Sequence, residues 1–198
     1  MMDRHRIALA TAFLIASGLV TVATRAQTPT PGPVYTADGK LNFPATYRTW
    51  VFLSSGLDMS YSPFALPGSH SFTNVFVNPA AYEEFVKTGT WPDKTVLVLE
   101  VRRGEQNGSI NRNGQFQTGI VQTEVHLKDT ARGGWAFYGF RDQSAPATMI
   151  ARTADCYSCH QANGAVDTTF VQFYPTLMPI ARENKTLSAG YLAGEAKR

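Results

Sequence analysis

TVLVLEV, residues 95–101, is the most strand-like stretch of this 198-residue chain. Its aliphatic and β-branched residues follow one another with only Glu100 as a charged interruption, which is typical of a strand buried on both faces. Other segments rich in branched and aromatic residues predict further strands. These lie at 71–77, 120–127, 135–140 and 170–174, while 47–53 fits a strand or a short helix edge.

One helix is clearly indicated between the first strands. Asn78 stands at a capping position, Pro79 at the first helical position, and Gly89 after AAYEEFVK as the terminator. Turn signals such as Gly133-Gly134 join most of the predicted strands directly. The pattern predicts an α+β domain with a mainly antiparallel β-sheet and one or two flanking helices.

The N-terminal region has the features of a targeting segment. A basic start, MMDRHR, precedes the apolar run 7–23 and the small-residue site Thr24-Arg25-Ala26, so we expect residues 1–26 to be a cleaved signal peptide. A retained membrane anchor is the alternative. Export would place the mature chain in the periplasm. Residues 27–40 are rich in proline and predict a flexible tether, which leaves 41–198 as a single domain.

The net charge excludes one class of partner. The chain carries a formal +3, of which the signal segment contributes +2 through Arg4, Arg6 and Arg25 against Asp3. The remainder is nearly neutral, and its Lys and Arg residues form no run along the sequence. We therefore expect no nucleic-acid partner.

The only two cysteines of the chain lie in the motif CYSCH, residues 156–160. This spacing is the attachment signature of c-type haem: each thiol adds across one vinyl group, and His160 follows as an iron ligand. The motif predicts one covalent haem c, held by Cys156 and Cys159 with His160 as the metal ligand. The C-terminal part of the domain would then be the haem-binding segment.

Three alternatives remain for the two cysteines. A structural disulfide or a thioredoxin-like dithiol would use Cys156 and Cys159 without needing the histidine. A zinc site would use all three residues and require a fourth ligand such as His126 or His70.

The second axial position of the iron would decide the chemistry. An open position binds small molecules, whereas a closed one favours electron transfer. His126, His70 and Met178 are the candidate ligands for a six-coordinate electron carrier.

Two sets of residues are candidates for the surroundings of the haem. On the strand 120–127, Gln122, Glu124 and His126 share one face; there Glu124 could accept a proton from an iron-bound substrate, and His126 could hydrogen-bond or ligate it. Alternatively this face is solvated, and Val125 and Leu127 point inward. The second set would form an apolar ceiling over the haem, or else ordinary core, and consists of Phe72, Phe76, Leu97 and Leu99.

Taken in order, several segments resemble the cytochrome P-460 family, which includes the cytochromes c′-beta. The resemblance covers 47–174 and rests on YRTW (47–50), NPAA (78–81), WPDKTVLVLE (91–100), VHLKD (125–129) with GGW (133–135), and CYSCH (156–160) followed by FVQFY (170–174). It implies an antiparallel sheet, a single haem c, a five-coordinate iron with a histidine ligand, and often a homodimer.

The resemblance also bears on the reaction. Family members of the P-460 type oxidise hydroxylamine and carry a lysine cross-link to the haem. The matching position here is Leu99, which cannot form that link, and neither Lys94 nor Lys128 occupies it. The departure favours the cytochrome c′-beta side, where an apolar pocket binds nitric oxide or carbon monoxide.

We therefore expect a diatomic-ligand-binding or electron-transferring haem protein, which could have a redox partner protein. A hydroxylamine oxidoreductase of the P-460 type and a six-coordinate electron carrier are the alternatives. Whether the protein is an enzyme acting on hydroxylamine or nitric oxide stays open.

Overall fold

The computed structural model describes residues 32–60 and 70–197. Its centre is a five-stranded antiparallel sheet in the order β1-β2-β3-β4-β5, so that every strand pairs with its neighbour in sequence. The strands are β1 (Val51–Leu57), β2 (His70–Val77), β3 (Val96–Glu105), β4 (Phe116–Asp129) and β5 (Gly134–Phe140). The helices are α1 (Pro79–Thr88), α2 (Asp155–Asn163), α3 (Met178–Glu183) and α4 (Ala189–Glu195). The expected α+β class is confirmed.

The central strand β3 separates two cores. Leu97 packs on one face of the sheet with Val77, Phe85, Val166 and residues of the C-terminal segment. On the opposite face, Val96 and Val98 pack with Val125, Leu127 and Tyr138. Since Val96, Leu97 and Val98 are all buried, the expectation that this strand is covered on both faces is confirmed.

Helix α1 ends at Gly89, as the sequence indicated, but Asn78 at its start does not act as the predicted side-chain cap. Gly89 terminates the helix in the left-handed region, at φ 71°, which a glycine adopts without steric cost. The Asn78 side chain does not cap the helix. Its Oδ1 accepts a hydrogen bond from the backbone N–H of Val96, at 2.8 Å, and thereby links the start of α1 to β3.

Two predictions are corrected. Residues 170–174 are not a strand: Val171–Phe173 form a 3₁₀ helix, closed by the backbone N–H of Tyr174 on the carbonyl of Val171. The tether 27–40 extends too far, because Tyr35 pairs with Leu41 and its hydroxyl donates to Asp129 at 2.9 Å. Segment 1–26 lies outside the described residues, as do 27–31. Among the described helices, none is long and apolar enough to cross a membrane.

Candidate haem site

Helix α2, which the sequence analysis did not predict, carries the whole CYSCH motif. Cys156 and Cys159 are both free thiols and partly exposed. Because they are three positions apart on a helix, they lie on the same side, one turn from each other. Two unpaired thiols in this arrangement are what thioether attachment needs.

His160 has one ring nitrogen occupied. Its Nδ1 lies 2.7 Å from the backbone carbonyl of Thr168, and since a carbonyl can only accept, Nδ1 donates. Burial lowers the pKa of His160, although the hydrogen bond to Thr168 acts in the other direction. The neutral ring therefore keeps its lone pair on Nε2, the nitrogen available to a metal.

His160 borders a cavity on the same face of the sheet as Leu97. The cavity contains about 900 Å³ of empty space, part of it open to solvent. All five strands contribute to its wall, together with α2 and the segment that follows it. The lining residues are Ser54, Gly56, Met59, Thr73, Val75, Leu97, Leu99, Glu124, Val125, His126, Phe137, His160, Thr169, Phe170, Phe173 and Tyr174.

The strand register explains how distant parts of the sequence meet in this wall. Ser54 pairs with Val75, Val75 with Leu99, and Leu99 with Glu124. Paired residues project to the same side of a sheet, so these four form one row across the cavity. The row mixes two apolar side chains with a hydroxyl and a carboxyl group.

Of the four residues predicted to form an apolar ceiling over the haem, two line the cavity and two do not. Leu97 and Leu99 line the cavity, but Phe72 and Phe76 lie on the opposite face of β2, since Thr73 and Val75 face the cavity and side chains alternate along a strand. Phe76 packs edge-on against Tyr47, with ring centroids 5.5 Å apart.

Glu124 lines the cavity. Burial raises the pKa of Glu124 above its ordinary value, and a hydrogen bond from the Gln122 side chain opposes this shift. Val125 and Leu127, which project to the opposite face, are both buried in the other core. The strand is covered on both sides here, and only Gln122 of the predicted polar face is exposed.

His126 lies beside His160. Its ring stacks on Phe137 at a centroid distance of 4.0 Å and meets the His160 ring edge-on at 5.1 Å. Burial first, and then the nearby His160, lower the pKa of His126 well below its ordinary value. Its Nε2 is 3.2 Å from the hydroxyl of Thr168, the residue that also binds His160.

The other candidate axial ligands occupy different places. His70 is exposed and its Nδ1 lies 2.6 Å from an Asp58 carboxylate oxygen. Met178 packs against the core around Phe85. Met59, which no sequence pattern singled out, does line the cavity. Phe170 and Phe173 also line it and were missed, because their composition indicated a strand.

The residues present fit a haem. A mostly apolar wall, a histidine with a free Nε2 and two neighbouring thiols on one helix are the groups that an attached porphyrin requires. A zinc ion would need a fourth ligand, and among the residues that the structure describes no three His, Cys, Asp or Glu side chains are grouped so that they could hold a metal ion.

Comparison with known proteins agrees with this chemistry. The sequence model described as Cytochrome P460 matches residues 44–171, a span that includes all five strands and the CYSCH motif. A search of curated proteins found no match. With well over half of its length covered by the family model, the chain belongs to the cytochrome P460 family of haem proteins.

Proposed function

We propose that this protein is an exported mono-haem c-type cytochrome, with the haem joined covalently to Cys156 and Cys159 and with His160 as the iron ligand. The iron is five-coordinate at rest and takes up a small diatomic ligand, nitric oxide or carbon monoxide, or exchanges single electrons. This proposal refines the family assignment, which by itself supports a haem-binding cytochrome.

The observation that carries the proposal is the hydrogen bond from Nδ1 of His160 to the Thr168 carbonyl, 2.7 Å long. It fixes the ring tautomer and leaves Nε2 as the ligand nitrogen. The same helix carries both free thiols, Cys156 one turn before His160 and Cys159 directly before it. Position, tautomer and tether thus agree on α2 as the helix that would hold the haem.

Each residue of the site has a defined task. The two thiols would hold the porphyrin by thioether bonds, and His160 would supply a nitrogen ligand to the iron. Leu99 and Val75 on the sheet keep part of the cavity apolar, which favours uncharged diatomic ligands over water and ions. When bound, the haem iron supplies the ligand-binding and one-electron chemistry.

The covalent attachment is tested by Cys156→Ala combined with Cys159→Ala. The unmodified protein is expected to retain haem on a denaturing gel, and the double variant is expected to lose it completely. Single variants, which keep one thioether bond, are the matched controls. Covalent haem in the double variant would contradict the proposed attachment.

Optical spectra test the coordination and the ligand. A high-spin ferrous form that changes on addition of nitric oxide or carbon monoxide supports the five-coordinate proposal. A low-spin spectrum indifferent to both gases would instead indicate a six-coordinate electron carrier, and Met59→Leu would then show whether that thioether is the second ligand.

Hydroxylamine oxidation is the second candidate, and Glu124 is the observation in its favour. This carboxyl group lines the cavity with a raised pKa, as suits a proton acceptor. Its cross-strand partner is Leu99, which by resemblance replaces the cross-linking lysine. This second function requires a strongly red-shifted ferrous absorption band. It also requires turnover of hydroxylamine that falls at least about tenfold in Glu124→Gln. Binding of nitric oxide or carbon monoxide without turnover of hydroxylamine would reject it.

Export is a further part of the proposal, based on the sequence of 1–26. Expression of the full chain in a bacterium that makes c-type cytochromes is expected to yield a periplasmic protein whose first residue is Gln27. Intact-mass measurement of the secreted protein checks both the cleavage site and the added mass of one haem.

A further inference from the structure

Thr168 connects His126, which is buried, with His160, which is partly buried. Its carbonyl accepts the hydrogen bond from Nδ1 of His160 at 2.7 Å, and its hydroxyl lies 3.2 Å from Nε2 of His126. His126 therefore contacts the partner of Nδ1.

The turn that contains Thr168 is held from several directions. Val166 and Thr169 pair with each other, and Asp167 between them has a left-handed backbone, with φ 53°. The Asp167 carboxylate accepts from Nζ of Lys128 at 3.0 Å. The Thr169 hydroxyl accepts from Nε1 of Trp91 at 2.8 Å. Strand β4 thus reaches this turn through Lys128 and His126, two residues that face the same way.

His126 is itself firmly placed. The residue is 8 % exposed, and its ring contacts Phe137, to which it is nearly parallel at 12°, and Trp135, at a centroid distance of 4.4 Å. A buried ring packed against two other rings has little rotational freedom. Nε2 of His126 is consequently held in one position, where it can orient the Thr168 hydroxyl by a hydrogen bond.

We propose that His126 is a positioning residue for the iron ligand: through the Thr168 hydroxyl it holds the Thr168 carbonyl against Nδ1 of His160. The proposal rests on the proposed function, in which His160 binds the iron. It assigns His126 to the support of that ligand, in place of a role as proton acceptor or sixth ligand.

The hydrogen bond at Nδ1 matters because it controls how strongly the imidazole donates electrons. A short bond to a carbonyl increases the basicity of the ring and strengthens the iron–histidine bond. It also stabilises the ferric over the ferrous state, since a more electron-rich ligand favours the higher charge. Loosening Thr168 would weaken both effects.

The test uses the haem-loaded protein and two variants that interrupt the connection at different atoms. Thr168→Val removes the hydroxyl and keeps both the shape and the carbonyl. His126→Phe keeps a ring against Phe137 and removes the nitrogen. Thr123→Val is the matched control: it lies on the same strand, is buried, and loses a hydroxyl that donates to the Phe140 carbonyl on the other side of the sheet.

The readouts are the ferrous iron–histidine stretching frequency and the midpoint potential. Thr168→Val and His126→Phe are each expected to lower the frequency and raise the potential, while Thr123→Val leaves both at the unmodified value. Because both variants break one connection, the double variant is expected to shift no further than the single ones.

The outcomes separate this inference from the proposed function. If the unmodified protein shows no iron–histidine band, or if His160→Ala keeps its spectrum, the assignment of the ligand is wrong and the inference is rejected with it. If the band is present but Thr168→Val and His126→Phe leave it unchanged, or shift it no more than Thr123→Val, only the role of His126 is rejected.

Discussion

Two glutamates on neighbouring strands show how differently the two faces of the sheet are built. Glu100 of β3 faces the core that contains Val98 and is fully buried. Its carboxylate accepts hydrogen bonds from Nε of Arg102 at 2.5 Å and from the Tyr47 hydroxyl at 2.7 Å, and it pairs with Arg48 at 2.6 Å. Glu124 of β4 faces the cavity, where Leu99 is its cross-strand partner.

The pKa values of these two groups move in opposite directions. Burial alone would raise the pKa of Glu100, but hydrogen bonds from Arg102, Tyr47 and Asn74 outweigh it, and the net shift is downward. Burial also raises the pKa of Glu124, and the single opposing contact from Gln122 does not reverse it. A carboxylate surrounded by cations is structural, whereas one kept among apolar groups is suited to proton transfer.

The largest expected effect comes from removing the charge of Glu100. Glu100→Gln leaves Arg102 and Arg48 without their anion, and breaking a buried ion pair from one side costs about 3 kcal/mol of unfolding free energy. Urea unfolding of the haem-loaded protein at pH 7 measures it. Glu84→Gln, on the surface of α1 near Lys87, is the control and should cost less than about 1 kcal/mol. If Glu100→Gln and Glu84→Gln lost the same unfolding free energy, the buried ion pairs of Glu100 would contribute no more to stability than a surface ion pair.

The same charge predicts a dependence on acid. Since the pKa of Glu100 in the folded protein lies below its ordinary 4.5, its stabilisation is complete above pH 4.5 and is lost as the pH falls through the folded value. The unfolding free energies of the unmodified protein and Glu100→Gln should therefore converge below pH 4.5. A gap that stays constant between pH 7 and pH 3 would show that the loss in the variant arises from packing.

A smaller effect is expected from the phenol that contacts this carboxylate. Tyr47→Phe removes the hydrogen bond to Glu100 and keeps the ring contact with Phe76, so we expect a loss of about 1.5 kcal/mol, as for a hydrogen bond to a charged group. Tyr82→Phe, in the core on the other side of the sheet, is the control for loss of a hydroxyl. A loss in Tyr47→Phe no larger than in the control would remove Tyr47 from the network.

Local sequence patterns predicted the strands and α1 because alternation, capping and turn residues act over a few positions. They also predicted the haem motif, whose chemistry depends on adjacent residues. The face of each strand was harder to assign, since a shift of one residue reverses every side chain. Phe72 and Phe76 were candidates for the cavity side as well as for ordinary core for this reason, and Thr73 and Val75 occupy the cavity side.

Local sequence patterns could not predict the long-range contacts, because the residues that make them are far apart in the sequence. Arg48 reaches Glu100 from 52 positions away, and Thr168 meets His126 across 42 positions, so neither pair has a local signature. Segment 170–174 has the composition of a strand, but it follows the turn at Thr169 and closes as a 3₁₀ helix against the cavity. Tertiary packing decided its conformation.

The smallest expected effect has the opposite sign and completes the comparison. Because the pKa of Glu124 in the folded protein lies above 4.5, its protonated form is favoured by folding. The resulting stabilisation is present below pH 4.5 and is lost as the pH rises through the folded value. Glu124→Gln keeps the volume and carries no charge, so its unfolding free energy at pH 7 should slightly exceed that of the unmodified protein. The two unfolding free energies should agree at pH 4, as urea titrations at both pH values would show.

If the Glu124→Gln variant were instead less stable than the unmodified protein at pH 7, Glu124 would be an ionised, stabilising group like Glu100, and the two faces of the sheet would not differ in the way proposed.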